Sequence, residues 1–355
     1  MLWPAPQPEW FEAHAHVEYA CVLIYGTAST TVPVNTLRCL PGPWRGLLGL
    51  LGLLACLLPQ AAAAQPVALQ PQAVAPGVWM VQGEAALGTR ANRNFISNAA
   101  FVVTPAGVVV VDALGSPALA HALLDAIARI TPQPVRRVIV THYHADHVYG
   151  LQVFKAAGAE ILAHRDGRLY LNSDTAAQRL QASREELAPW IDAQTRLVAA
   201  DRWLDGPERF TLGGVDFVLQ PVGPAHTPED LALWLPQQRV LFAGDLVFRG
   251  RIPFVGQADS ARWIESLDRL LAFDALRIVP GHGPVSSDAR GDLQLTRDYL
   301  VHLRRTMGQA AQDLEPFEEA YAKADWSRFE GLPLFRAANR MNAYNTYLLM
   351  EQTTK

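Results

Sequence analysis

Directly after the β-branched run VRRVIV the chain carries THYHADH (141–147), which packs three histidines and an aspartate between His142 and His147. No other stretch limits the fold as strongly. Ligand-type side chains at this density need a rigid backbone, and the end of a buried strand supplies one. His142 and His144 lie two apart, so an extended segment puts both on one side, while Asp146 and His147 continue the loop towards a second position. The bland alternative is a polar loop of solvated histidines. A single histidine would deserve it; His-x-His-x-Asp-His behind an apolar strand does not.

Three more residues of the same kind sit where later strands should end: His226 in GPAHTPED, Asp245 in LFAGDLVF and His282 in VPGHGP. Each is beside small or turn-forming residues that let a backbone and a ligand approach closely. Any one alone could be an ordinary core or turn residue. Together with the first cluster they make seven nitrogen and oxygen ligands, enough for two metal ions.

The flanking pattern is that of an α/β chain. VWMVQ (78–82), AAFVVT (99–104) and GVVVVD (107–112) read as strands, the last continuous enough to be buried on both faces. Ser116 and Pro117 open a helix with Leu119, Leu123, Ile127 and Ile130 on one stripe. A strand, the histidine loop, a helix and EILA (160–163) complete a first half. Residues 165–205 read as helical and polar. A second half repeats the theme with VDFVLQ, LALWL and RVLFAGD, a helix over 258–273, and RIVP. Both halves have a strand ending in aspartate, at Asp112 and Asp245. Two β-rich halves with outer helices predict two stacked sheets flanked by helices. The tail beyond Leu293 reads as helical.

The first 64 residues differ from the rest. GLLGLLGLLACLL (46–58) is uncharged and too short for a membrane span, which needs about 20 residues. It suits the apolar region of a secretory signal, with Arg38 and Arg45 before it and AAAAQ behind it, so cleavage is expected after Ala64. A buried core helix, or a lipoprotein anchored at Cys56, are the alternatives. The residues ahead of that segment suggest a start codon near Val32, Val34 or Leu37. The expected organisation is an extension and signal over 1–64, a catalytic domain over 65–292 and a helical C-terminal extension over 293–355. The expected location is periplasmic or secreted, with no membrane span in the mature chain. Cys21, Cys39 and Cys56 all precede the cleavage site, so the mature chain would have no thiolate for a metal or a nucleophile. A net charge of −4 without a basic block gives no case for nucleic acid.

HYHADH followed in order by His226, Asp245 and His282 resembles the metallo-β-lactamase-fold hydrolase superfamily. The likeness runs over about 74–290. THYHADHVYG, GPAHTPEDL, FAGDLVFRGRIPFVG and NRMNAY are further similar to the exported quinoprotein relay system zinc metallohydrolase group. The resemblance implies an αββα four-layer sandwich, here with a C-terminal helical tail. It implies a first zinc on His142, His144 and His226, a second on Asp146, His147 and His282, and Asp245 bridging both. It also implies that Asp146 can orient the nucleophile. Family members that place a cysteine on the second zinc are excluded by the mature composition, and the diiron members have glutamate where His144 stands. Many true β-lactamases lack the bridging aspartate, whereas hydrolases similar to glyoxalase II have it.

These ligand types suit Zn(2+). The expected activity is hydrolysis of an ester, thioester, lactone or amide in a small-molecule substrate by a metal-bound hydroxide, with β-lactamase-like activity as a side reaction. Two other classes stay open: a persulfide dioxygenase with one iron on two histidines and an aspartate, and a non-enzymatic periplasmic partner of a quinoprotein. Arg249 and Arg251 are candidates for a substrate carboxylate or phosphate, against a solvated or structural role. His164, Thr141 and Thr227 could support the site, with a structural or surface role the stronger alternative for His164. Trp203 and Trp234 read as core, and His121 and His302 as surface.

Overall fold

A computed structural model describes residues 68–256 and 258–353. The expected leader segment, its three cysteines and the expected cleavage site lie outside the described residues. No helix among the described residues is long and apolar enough to cross a membrane.

Among the described residues twelve strands form two sheets. The first has the order β1 (Gln72–Ala75), β2 (Val78–Val81), β3 (Ala99–Thr104), β4 (Gly107–Val111), β5 (Val135–Ile139), β6 (Glu160–His164) and β7 (Arg202–Leu204). Its pairs are antiparallel as far as β4 and parallel from there on. In the second, β12 (Arg277–His282) pairs in parallel with β11 (Val240–Phe248), followed antiparallel by β10 (Leu231–Leu235), β9 (Val215–Pro221) and β8 (Glu208–Leu212).

The hydrophobic pattern explains the layering. In the VVVV run, Val109 and Val111 join Met80, Ile139, Leu219, Leu233 and Phe242 in a core between the sheets. Val108 and Val110 point the other way, into a core with Leu119, Leu123 and Ile127 of helix α1 (Pro117–Ile130). Such a strand is apolar on both faces because both are covered. Ser116 Oγ caps α1 by accepting from Leu119 N. The first sheet's outer layer also has α2 (Ala145–Val148), α3 (Leu151–Ala156), α4 (Gly167–Leu171) and α5 (Asp174–Glu186). The second sheet is covered by α6 (Ser260–Leu270), a short 3-10 turn, α7 (Ala289–Gln312), α8 (Phe317–Lys323) and α9 (Phe335–Thr353). The result is helix, sheet, sheet, helix: the αββα sandwich with a helical tail.

The tail shares its apolar core with the sheet: Leu293, Leu300, Leu303 and Ala343 cluster with Leu241, Ile278 and Trp263. Two expectations need correction. Residues 187–201 are not helical; α5 ends before Pro189, which cannot supply a helical N–H, and Asp192 Oδ1 instead accepts from Gln194 N and Thr195 N in a turn. His302 is not a surface residue but half-buried, because the segment between α8 and α9 folds Trp326 and Phe329 against its ring.

Candidate metal centre

The ligand-type residues gather at one end of the sandwich. Asp112 follows β4, the 141–147 loop follows β5, His226 lies between β9 and β10, and His282 ends β12. Asp245 lies inside β11, where the register slips: Gly244 pairs with Pro280, but the next pair is Phe248 with His282. An irregularity of this type re-aims a side chain that a regular strand would place elsewhere. Gly244 makes it feasible, since its φ is +50° and a Cβ there would come within 2.8 Å of Thr141 Cβ. Gly281 clears the other side, because a Cβ there would overlap Asp245 Oδ1.

All seven expected residues come together, in two groups. His142, His144, His226 and Asp245 form one, and Asp146, His147 and His282 the other; within each, one potential ligand atom per residue lies within 4.8 Å of the rest. Asp245 reaches both. Its Oδ2 is 3.4 Å from His226 Nε2, 3.8 Å from His142 Nε2 and 3.3 Å from His282 Nε2, and its Oδ1 is 3.2 Å from His147 Nε2. Asp146 Oδ2 is 3.3 Å from His282 Nε2 and 3.6 Å from His147 Nε2.

The far side of each ring decides which nitrogen faces the centre. His147 Nδ1 donates to Asp112 Oδ2 at 2.9 Å, and His282 Nδ1 donates to the Ile96 carbonyl at 2.7 Å. Thr141 Oγ1 donates to Asp112 Oδ2 at 2.8 Å and is then free to accept from His142 Nδ1 at 3.0 Å. In all three rings Nδ1 holds the hydrogen and the Nε2 lone pair points inward. Inside, His142 Nε2, His147 Nε2 and Asp245 Oδ1 are buried without any hydrogen-bond partner. Orphaned buried polar atoms at this density need an explanation, and coordination of cations is the one their chemistry fits.

Electrostatics agrees. Burial, then the charge on His147, holds His142 well below its ordinary value, and burial takes His226 down to about 3. Burial works the same way on His147 and His282, but Asp245 and Asp146 overcome it and raise both. Burial would raise the two aspartates, yet the histidines hold them down: chiefly His147 for Asp146 and His282 for Asp245. Without metal, protons on His147 and His282 provide the positive charge the carboxylates require.

A pH prediction follows from that balance. A histidine raised in the folded state stabilises fully below its unfolded value, near 6.5, and loses that contribution as pH rises through its folded value. The lowered aspartates act oppositely, stabilising above their ordinary 3.8 and losing it as pH falls. Metal-free protein is therefore expected to melt at progressively lower temperature as pH rises above about 6.5, while zinc-loaded protein does not follow it. Zinc uptake near neutrality should release protons, measurable by calorimetry in buffers of different ionisation enthalpy. Uptake without proton release would refute the assignment.

Sequence reasoning missed several supporting groups. Asp112 was visible as a strand-ending aspartate but had no role; it accepts from Thr141 N, Thr141 Oγ1 and His147 Nδ1. Asn98 joins the two halves, donating to Pro280 O and Gly283 O beside His282. Buried Glu229 accepts from Tyr143 N, and burial raises its carboxyl. Nothing in a single sequence marks the Ile96 carbonyl or Asn98.

The weaker candidates separate. Thr141 contacts His142 directly, whereas Thr227 braces the His226 loop through Asp230. His164 is in neither group; its Nδ1 accepts from Asp166 N. Trp203 and Trp234 pack at the edges of the cores, and His121 is exposed. Arg249 is tied to Asp292 at 2.8 Å and to Val285 O at 3.0 Å. Arg251 is buried beside His282, and burial lowers its guanidinium.

Comparison with known proteins agrees with this architecture. The Metallo-beta-lactamase superfamily model matches residues 92–282. A linear primary-alkylsulfatase of Pseudomonas sp. (strain ATCC 19151) is 25% identical over 239 residues, covering 57% of this chain and 45% of the alkylsulfatase. Metallo-beta-lactamase IND-1 of Chryseobacterium indologenes is 24% identical over 200 residues, covering 55% of this chain and 75% of that protein. Among solved structures, the stereoselective inverting sec-alkylsulfatase Pisa1 of Pseudomonas sp. superposes with a TM-score of 0.62 at 20% identity, covering 79% of this chain and 50% of Pisa1. The chain thus spans about half the length of the two alkylsulfatases.

Proposed function

The chain belongs to the Metallo-beta-lactamase superfamily, and from that premise we propose that it is a dinuclear zinc hydrolase of ester, thioester, lactone or amide bonds. The observation that carries the reading is the position of Asp245, whose two carboxylate oxygens lie 3.2–3.8 Å from histidine nitrogens of both groups. A one-metal site needs no such bridge.

His142, His144 and His226 would hold one ion, Asp146, His147 and His282 the other, and Asp245 both. Imidazole and carboxylate donors fit Zn(2+). Such ions, when bound, would lower the pKa of a coordinated water and neutralise negative charge developing on the substrate.

The chain's own groups do the rest. Asp146 is the more open carboxylate, its side chain 17% exposed against 5% for Asp245. We assign it the role of accepting a hydrogen bond from, and so orienting, an attacking water. Phe248 stacks on His282 with ring centres 5.1 Å apart, and Trp263 packs on His226 at 5.2 Å, so one wall of the site is apolar and excludes water. Neither group requires a side-chain nucleophile. The alkylsulfatase relatives bring sulfate esters into the candidate substrates, and the β-lactamase relatives bring lactams. Export of the mature chain belongs to the same proposal and rests on the composition of residues 46–65.

The test is a metal count on the purified chain, paired with ester, thioester, lactone, lactam and sulfate-ester assays. Two zinc ions per chain and turnover of one class are expected. A single iron with oxygen uptake on a persulfide would replace this reading with the dioxygenase. Lactam hydrolysis no faster than with free zinc would remove lactams from the list.

A further inference from the structure

Residues 249–256 follow β11 without regular secondary structure, yet Ile252 and Val255 are buried. Buried N–H and carbonyl groups need partners, and these find them in the C-terminal helices and the turn before the last one. Ile252 N donates to Pro333 O at 3.0 Å, and Val255 N to Asn342 Oδ1 at 2.9 Å. Pro253 O accepts from Asn342 Nδ2 at 2.7 Å, and Gly256 O from Asn345 Nδ2 at 2.9 Å. Asn342 is 0% exposed, in a helix whose Ala338 and Ala343 share an apolar core with Leu300, Leu303 and Phe329. A buried amide is costly there unless its bonds are made. Asn342 Nδ2 also donates to the Tyr299 hydroxyl, which donates in turn to Asn339 Oδ1, and Asn339 Nδ2 donates to the Tyr321 hydroxyl. A buried network satisfied in this way fixes one arrangement of the tail and the loop.

The other end of the same loop touches the metal centre. Phe248, the last residue of β11, stacks on the His282 ring with an interplanar angle of 4°. Arg249 N donates to His282 O at 3.0 Å, and the Arg249 side chain is anchored to Asp292 of α7. His282 is the last residue of β12, and its pairing with Phe248 comes after the register has slipped, so no regular ladder holds it. Ile96 and Asn98 grip the β12 end from one side, and Phe248 and Arg249 grip it from the other. Gly250 and Gly256, at φ of +68° and +52°, make the loop intrinsically pliable, so its shape must be imposed from outside. The first group of ligands is braced differently, through Thr141 behind His142 and through Thr227 and Asp230 in the His226 loop.

Resting on the two-ion reading above, we propose that Asn342 and Asn345 are positioning residues of the metal centre: by fixing residues 253–256 they set His282 for its ion, and docking of the tail is coupled to loading of that site. Such coupling is reciprocal, so an ion on His282 strengthens the tail's grip on the loop by as much as the tail favours the ion. The tail thereby acts on the metal centre although it supplies none of the seven ligands.

The test is a stepwise zinc titration of wild type, N342L, N345A and H282A in competition with a chromophoric chelator. The step lost in H282A identifies the ion concerned. Both asparagine variants are expected to weaken that step about 10–100-fold, the scale on which supports behind a ligand act, and to leave the other step unchanged. Equal losses in both steps would mark a merely structural role and overturn the proposal, as would no loss in either variant. N345A keeps the test decisive if N342L does not fold, because alanine favours the helix and the change removes one hydrogen bond of a half-buried side chain. Amide exchange supplies a readout that needs no metal. Arg249 N–H, whose acceptor is His282 O, is expected to exchange about ten-fold faster in metal-free N345A than in metal-free wild type. Unchanged exchange at Arg249 would show that the clamp does not reach His282, and the proposal would fall. In wild type, zinc should slow exchange at Val255 N–H, whose acceptor is Asn342 Oδ1; exchange there that ignores zinc would contradict the coupling. A wild-type chain that takes up a single ion defeats the two-ion reading, whereas Arg249 exchange still decides whether the tail positions His282.

Discussion

Asp245→Asn is expected to leave the chain folded, reduce its metal content from two ions towards one, and slow hydrolysis about a thousandfold. Asparagine keeps the size and shape that Gly281 and the bulge in β11 accommodate, so the core between the sheets is undisturbed. What changes is charge and valency. The carboxylate contacts four histidine nitrogens from both groups, and an amide has one oxygen for them all and a donor NH2 where the other stood. The anionic bridge proposed between two cations would be lost. Lewis-acid stabilisation is worth several kcal/mol, and each 1.36 kcal/mol is tenfold in rate, which gives about the thousandfold. Metal analysis, circular dichroism and single-substrate kinetics on one preparation check the three parts. Full metal content with full activity would mean that Asp245 bridges nothing.

How much of this was legible in the sequence depended on range. The β-branched run before Thr141, the cap at Ser116 and the spacing of His142 and His144 are local signals, and local physics determines them. His226, Asp245 and His282 could be singled out one at a time, because turn-forming neighbours mark strand ends. Their convergence came from order and resemblance, not from spacing. The bulge that turns Asp245 inward depends on two non-adjacent strands, so no window of sequence shows it. The short strands β1, β7 and β8 were invisible for another reason: they lie at sheet edges and are partly exposed. The role of the tail was hidden because it lies in hydrogen bonds between Asn342 or Asn345 and a loop 89 residues earlier in the chain. An asparagine on a polar helix face carries no sign of what it will clamp.

Asp112 tests whether the scaffold behind the ligands matters as much as the ligands. It touches neither proposed ion, yet its carboxylate orients His147 through Nδ1 and reaches His142 through Thr141. It also holds the backbone of the loop by accepting from Thr141 N at 2.8 Å. Its φ of +60° lies in the left-handed region, which asparagine tolerates and alanine does not, so Asp112→Asn isolates the side-chain chemistry from backbone strain. The amide keeps one acceptor and turns a donor towards a ring N–H or a hydroxyl. Either His147 rotates to the wrong tautomer or a buried donor is left unpaired, at about 1–3 kcal/mol. The second outcome lowers the melting temperature; both weaken the site. Zinc affinity, measured by competition with a chromophoric chelator, is expected to fall about 10–100-fold. Because the ligands themselves remain, saturating zinc should restore most of the rate, which it cannot do for Asp245→Asn. Unchanged affinity in Asp112→Asn would show that the histidines are oriented by packing alone.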